Sequence, residues 1–267
     1  MNPNERPTLT DGQNDCQNGC PVNPVVNSPI DKPIVIISFD HVGSKTLTKL
    51  VLPLLQKYDI RATLYIQSLL VGKTRWNMTV DELKLLHDAR WDLGNHTYTH
   101  PRLATLSAEE IDKEIKLTDD FLEKNNFSIG RRHMSYPCSS MNDTVISVVK
   151  KYCDTGRKVT GKVGTLYPTK DWWYKLDCIS MKASDPVSRA TERIDEAIDR
   201  KMCAHIMFES VFEENPPKEG YLFSQFVEII NYIVTKKEAG LVDVMTVSEF
   251  YESRKNKNKS RSSTWYL

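Results

Sequence analysis

Four residues at the ends of two apolar runs have the types and spacing for hydrolytic chemistry. In "VIISFDHVGSKT" the apolar run ends on Asp40 and His41, and in "GNHTYTHPRL" His96 and His100 stand at i and i+4. Two imidazoles so spaced can face one point when a turn follows, and Pro101 directly after His100 argues for that turn. Such a pair is a common metal-ligating arrangement, and His41, arriving from another strand end, adds a third nitrogen donor. The plainest reading of Asp40 is a cap or loop carboxylate. Beside a metal-bound water, the same carboxylate is placed as a general base. The chemistry suggested is hydrolysis: a divalent metal lowers the pKa of water, and Asp40 takes its proton.

The elements that must position these residues begin at residue 33. "IVIISF" is a continuous β-rich run, as expected for a strand covered on both faces. Leu47, Leu50, Val51, Leu54 and Leu55 follow at helical spacing, and "ATLYI" reads as a second strand. Thr79 with Glu82, and Ser107 with Glu110, are capping boxes that open two helices. "WDLGNHT", "HMSYP", "GRKVT", "KLDCISM", "CAHIMFES" and "LVDVMTV" are further strands, with helical patterns over 141–152, 187–200 and 221–238 between them. Repeated βα units of this length predict a parallel sheet with helices outside, closed or nearly closed as a barrel, with its chemistry where strands end.

Three segments are expected: an irregular arm over residues 1–32, rich in Asn, Pro, Asp and Gly; a barrel domain over 33–252; and a basic flexible tail over 253–267. The chain has 267 residues, enough for one large core, and its formal net charge of +1 gives no global case for nucleic acid. No apolar run is long enough to span a membrane. The N-terminus lacks the apolar stretch of a secretory signal, which favours an intracellular (cytoplasmic) or virion-associated protein. Cys178 and Cys203 read as small buried hydrophobes, while Cys16 and Cys20 have no zinc-knuckle spacing.

The chain resembles the NodB-homology polysaccharide deacetylases, also called carbohydrate esterase family four. "ISFDHVGSKTLTKLVLPLLQKYDIRATLYI" is similar to the family's opening motif, a strand, Phe-Asp-Asp-Gly, a helix and a second strand. "WDLGNHTYTHPRL" is similar to its His-x-x-x-His motif. The resemblance covers about residues 33 to 252. It implies a distorted (β/α)7-type barrel, with parallel strands and helices outside, that removes acetyl groups from amino-sugar polymers such as chitin and peptidoglycan. It also implies Asp40 as general base and His96 and His100 as metal ligands. His41 replaces the family's second aspartate, giving a three-His site whose softer donors favour zinc.

Elsewhere the motifs diverge. "MSYPCSS" stands where the family often has Arg-Pro-Pro-Tyr, so Ser135 takes the place of the arginine that pairs with the catalytic aspartate; Arg131 and Arg132 are near in sequence. The backbone N–H of Cys138 matches the oxyanion-binding position, with Tyr136 beside it on the substrate side. The family's general acid is a histidine near the last barrel strands. His205 is the histidine of that region, but residues 205, 207 and 209 share a strand face, and Glu209 lies nearer the strand end, which favours Glu209. Trp172, between Asp171 and Trp173, is a candidate for a sugar-binding groove or for the core. The expected function is a metal-dependent deacetylase acting on a carbohydrate polymer or oligomer. A non-catalytic glycan-binding or structural descendant, and a metal-independent amidohydrolase, are the alternatives.

Overall fold

The computed structural model describes residues 31–42 and 45–256. Residues 1–30 of the expected arm and 257–267 of the expected tail lie outside them. Seven strands, β1 (Ile34–Asp40), β2 (Thr63–Ile66), β3 (Asp92–Asn95), β4 (His133–Ser135), β5 (Thr155–Val159), β6 (Leu176–Met181) and β7 (Cys203–Phe208), pair in sequence order, all parallel. Along its full length β7 then pairs with β1, from Ile34 opposite Cys203 to Phe39 opposite Phe208, and closes the barrel. After β8 (Ser210–Phe212) and β9 (Gly220–Leu222), which pair with each other, β10 (Asp243–Val244) lies against the first residues of β1. β2 pairs with β1 only from Ser38 onward, so β10 wedges the two apart at their starts. This wedge is the barrel's distortion.

The outer layer follows from amphipathic helices: α1 (Leu52–Lys57), α2 (Val80–Asp88), α3 (Ala108–Lys124), α4 (Asp143–Tyr152), α5 (Val187–Arg200), α6 (Phe223–Glu238) and α7 (Val247–Arg254). The two expected capping boxes form, Thr79 with Glu82 and Ser107 with Glu110, and a third, Thr246 with Glu249, opens α7. Each satisfies backbone donors that the first turn leaves free. No helix among the described residues is long and apolar enough to cross a membrane.

Strand alternation decides what faces the interior. On β1, Val35, Ile37 and Phe39 pack outward against the helices, while Ile34, Ile36, Ser38 and Asp40 point into the barrel. On β7 the interior set is Cys203, His205 and Met207; on β5 it is Thr155 and Arg157, while Val159 at the strand end is exposed. Gly156 falls between Thr155 and Arg157 on the outer face, where Tyr136 lies so close that a Cβ would sit 2.2 Å from its hydroxyl. At the strand starts Ile34, Ile36, Tyr65 and Cys203 form one apolar cluster, beside the buried polar residues Thr63, Asp92 and Thr155.

One interior carboxylate belongs to the scaffold. Asp92 is fully buried; its Oδ2 accepts from Thr63 Oγ1 (3.1 Å) and the Ser248 N–H (2.8 Å), while Oδ1 has no partner among the described residues. Burial outweighs these bonds and pushes its pKa up to about 6. The folded state therefore holds a proton that the unfolded chain releases near pH 4, so this group's stabilisation is present below pH 4 and is lost as pH rises through 6. Asp92→Asn removes the titration. Measured by urea denaturation, its stability relative to wild type should rise by about 3 kcal/mol between pH 4 and pH 7, the equivalent of roughly two pK units.

Candidate active site

The C-terminal ends of the barrel strands bring together Asp40 from β1 and His41 directly after it, Gln67 after β2, His96 and His100 after β3, Ser135 from β4, Arg157 from β5 and Glu209 after β7. The rings of His41, His96 and His100 form a near-equilateral triangle, with centroids 4.9, 4.6 and 4.8 Å apart. One nitrogen from each lies within 4.8 Å of the others, a spacing that can hold a metal ion.

Local backbone chemistry makes that convergence. His41 (φ 67°), Thr97 (φ 63°) and His100 (φ 65°) all adopt the left-handed conformation, which for the β-branched Thr97 is costly. Their turns are held from outside. Asn95 Nδ2 donates to the Ile115 carbonyl of α3 (2.9 Å), and its Oδ1 accepts from the Thr97 N–H (2.8 Å). Glu114 of α3 accepts from the backbone of Tyr98 and Thr99 and from the Thr99 hydroxyl, at 2.7 to 3.1 Å. The i, i+4 spacing places both imidazoles on one site because a clamped turn, rather than a helix, joins them.

Two of the rings are anchored through Nδ1. His96 Nδ1 lies 3.0 Å from the Ser135 carbonyl and 2.5 Å from its hydroxyl, and His41 Nδ1 lies 3.2 Å from Gln67 Oε1. An Nδ1 facing a carbonyl oxygen donates its proton there, which leaves Nε2 with a free lone pair; metal-bound histidines carry this outer hydrogen bond almost without exception. Burial, followed by the charge of His41, lowers the pKa of His100. Burial likewise depresses His96 to about 3, against the pull of Asp40. Both are neutral at pH 7, as metal ligation requires. The donor set therefore fits a divalent ion.

Asp40 and Arg157 form a buried pair, 4% and 1% exposed. Arg157 Nη2 donates to both carboxylate oxygens, to Oδ2 at 2.6 Å, and the Ser135 hydroxyl stands 3.5 Å from Oδ1. Arg157 is itself seated over the Tyr65 ring at 5.3 Å, with Nη1 3.3 Å from Cys178 Sγ. Burial alone would raise the Asp40 pKa, but the Arg157 charge, with those of His96 and His41 behind it, holds it at about 2. Asp40 Oδ2 stands 3.8 Å from His96 Nε2.

The structure does not bring every expected residue here. His205 points inward from the middle of β7, 2.8 Å from Ser38 Oγ, and burial lowers its pKa to about 3. Trp172 opens the turn before β6, at the strand starts and opposite the site, where it lines a small cavity with Leu176, Cys203 and His205. The Tyr136 side chain faces the outer helices and donates to the Tyr174 carbonyl (3.0 Å). Cys138 follows β4 in a left-handed turn (φ 53°) at the same end as the site.

Arg131 and Arg132 are engaged on the outside, with Asp119 and Asp154. Arg157 was not singled out from the sequence. Its signal was strand parity: an arginine two residues after the inward Thr155 falls on the inner face, where it needs a buried carboxylate opposite it.

A three-histidine cluster thus stands beside a buried aspartate at the strand ends of a closed parallel barrel, the end at which such barrels carry their chemistry. Residues 27–153 match the polysaccharide deacetylase family model. Over that stretch, just under half of the chain, it is similar to the polysaccharide deacetylases. Among solved structures it is similar to the peptidoglycan deacetylase PdaC from Bacillus subtilis, at 19% identity and TM-score 0.57, covering 88% of this chain and 98% of that one. It is also similar to BA3943, a CE4 family pseudoenzyme from Bacillus anthracis, at 19% identity and TM-score 0.54, covering 82% and 65%. At such identities the likeness is one of fold. Among curated proteins, YlxY of Bacillus subtilis (strain 168) is 25% identical over 149 residues, 56% of this chain. The chain spans 43% of the length of the curated relatives it matches.

Removing the arginine tests the buried pair. Arg157→Met leaves the Asp40 carboxylate buried without a cation and should lower stability by about 3–5 kcal/mol in urea denaturation. Adding Asp40→Asn in that background should recover more than half of the loss. Equal stability of Arg157→Met and wild type would contradict the pairing.

Proposed function

We propose that the chain is a metal-dependent hydrolase that removes acetyl groups from an N-acetylated glycan of the chitin or peptidoglycan kind. The observation that carries this reading is the convergence of His41, His96 and His100 beside Asp40 at the strand ends. PdaC, by name a peptidoglycan deacetylase, supports the substrate class. His41 and His96 would hold the ion through the nitrogens that their outer hydrogen bonds leave free, with His100 as the third donor, and imidazole nitrogens favour zinc. When bound, the ion lowers the pKa of a water and polarises the acetyl carbonyl.

The chain's own residues do the rest. Asp40 accepts the water proton as that oxygen adds to the carbonyl carbon. Arg157 keeps the carboxylate ionised and aimed. The Cys138 N–H donates to the oxygen on which charge develops. The carbon–nitrogen bond then breaks as the nitrogen takes up the proton that Asp40 received, and acetate and a free amine leave.

A second reading, a glycan-binding descendant without catalysis, draws on two contacts. Arg157 covers both oxygens of Asp40, and Glu209 faces His41. The similarity to a CE4 family pseudoenzyme supports it.

Acetate release from N-acetylglucosamine oligomers separates the two. The zinc-loaded protein should release acetate, lose the activity to a chelator and regain it with zinc. Asp40→Asn should cut turnover by about 10²–10⁴-fold with zinc content unchanged, the usual range for a general base. Oligomer binding without acetate release would support the second reading.

A further inference from the structure

Glu209 follows directly on β7, on the inner face shared with His205 and Met207. Its Oε2 lies 3.0 Å from His41 Nε2. His41 Nδ1 is taken by Gln67 Oε1, so Nε2 is the nitrogen left to face an ion. A carboxylate oxygen and an imidazole nitrogen that each bind zinc at about 2.0–2.1 Å stand roughly 3.3 Å apart in a tetrahedral shell. The His41–Glu209 separation is nearly that ligand-to-ligand distance. Both side chains are about one-quarter exposed, 24% and 29%, so neither is locked away from a newly bound ion.

We propose that Glu209 is the fourth protein ligand of the metal, completing a His3Glu set with His41, His96 and His100. This rests on the metal site proposed above and adds a residue to it. A carboxylate in that place supplies negative charge that the exchange of aspartate for His41 removes. It also fills the position that a water, the substrate carbonyl or product acetate would otherwise take. Glu209 is then an internal counterpart of acetate, and the site opens when its carboxylate moves off the ion. Its part as a proton donor gives way to this one.

The test measures zinc affinity by competition with a chromophoric chelator, at low and high salt, for wild type, Glu209→Gln and His41→Ala. Loss of a direct ligand should weaken zinc by at least about tenfold in Glu209→Gln, in the range seen for residues that support metal sites, and equally at both salt concentrations. A charge acting from a distance would be screened at high salt. With cobalt(II) in place of zinc, acetate should perturb the visible spectrum of Glu209→Gln at lower concentration than that of wild type. A Glu209→Gln affinity within about threefold of wild type, or a deficit that salt abolishes, overturns the proposal. Failure of wild type and His41→Ala alike to bind zinc would instead overturn the metal site on which it rests.

Discussion

The buried pair of Asp40 and Arg157 is the constraint on which the site depends. A carboxylate at 4% exposure and a guanidinium at 1% have left water, and each is tolerable only because the other is there. The pair ties β1 to β5 across the barrel, strands that are not neighbours. It fixes Asp40 beside His96 without any help from the metal. Arg157 is held in turn by Tyr65 and Cys178, so the carboxylate's orientation is set by three strands at once.

Around that pair the architecture uses two devices. Strand alternation puts every second residue inside, which selects Asp40, His205, Arg157 and Glu209 and excludes Tyr136. Left-handed turns at His41, Thr97 and His100 then swing histidines from the strand ends over the carboxylate. Those conformations cost of order 1–3 kcal/mol each, and the bonds from α3 to the β3 turn supply the compensation. The same exchange of backbone strain for placement is common at sites that bind or react.

Much of this was legible in the sequence. The barrel followed from alternating βα patterns, and two helix starts from their capping boxes; the box at Thr246 and Glu249 has the same signature and went unread. Asp40, His41, His96 and His100 stood out because strand-end position and donor type coincide. Arg157 did not, because its partner is chosen by closure of the barrel, a tertiary fact. The resemblance pointed to position 135 for an arginine. Here the serine at 135 anchors His96, and the cation comes from the adjacent strand. The expectation of Trp172 near substrate had nothing in it about which end of β6 the residue precedes. β10 was read as an ordinary strand, but only the three-dimensional register shows it as a wedge against β1.

The central claim is that the three histidines and the paired aspartate form one metal-binding centre at the mouth of the barrel. Crystals of the protein soaked in zinc, measured on both sides of the zinc absorption edge, test it most directly. The account predicts one strong anomalous peak within about 2.0–2.1 Å of nitrogens from His41, His96 and His100, with Asp40 still paired to Arg157. A peak at another place on the chain, or none at the histidines at saturating zinc, would contradict it.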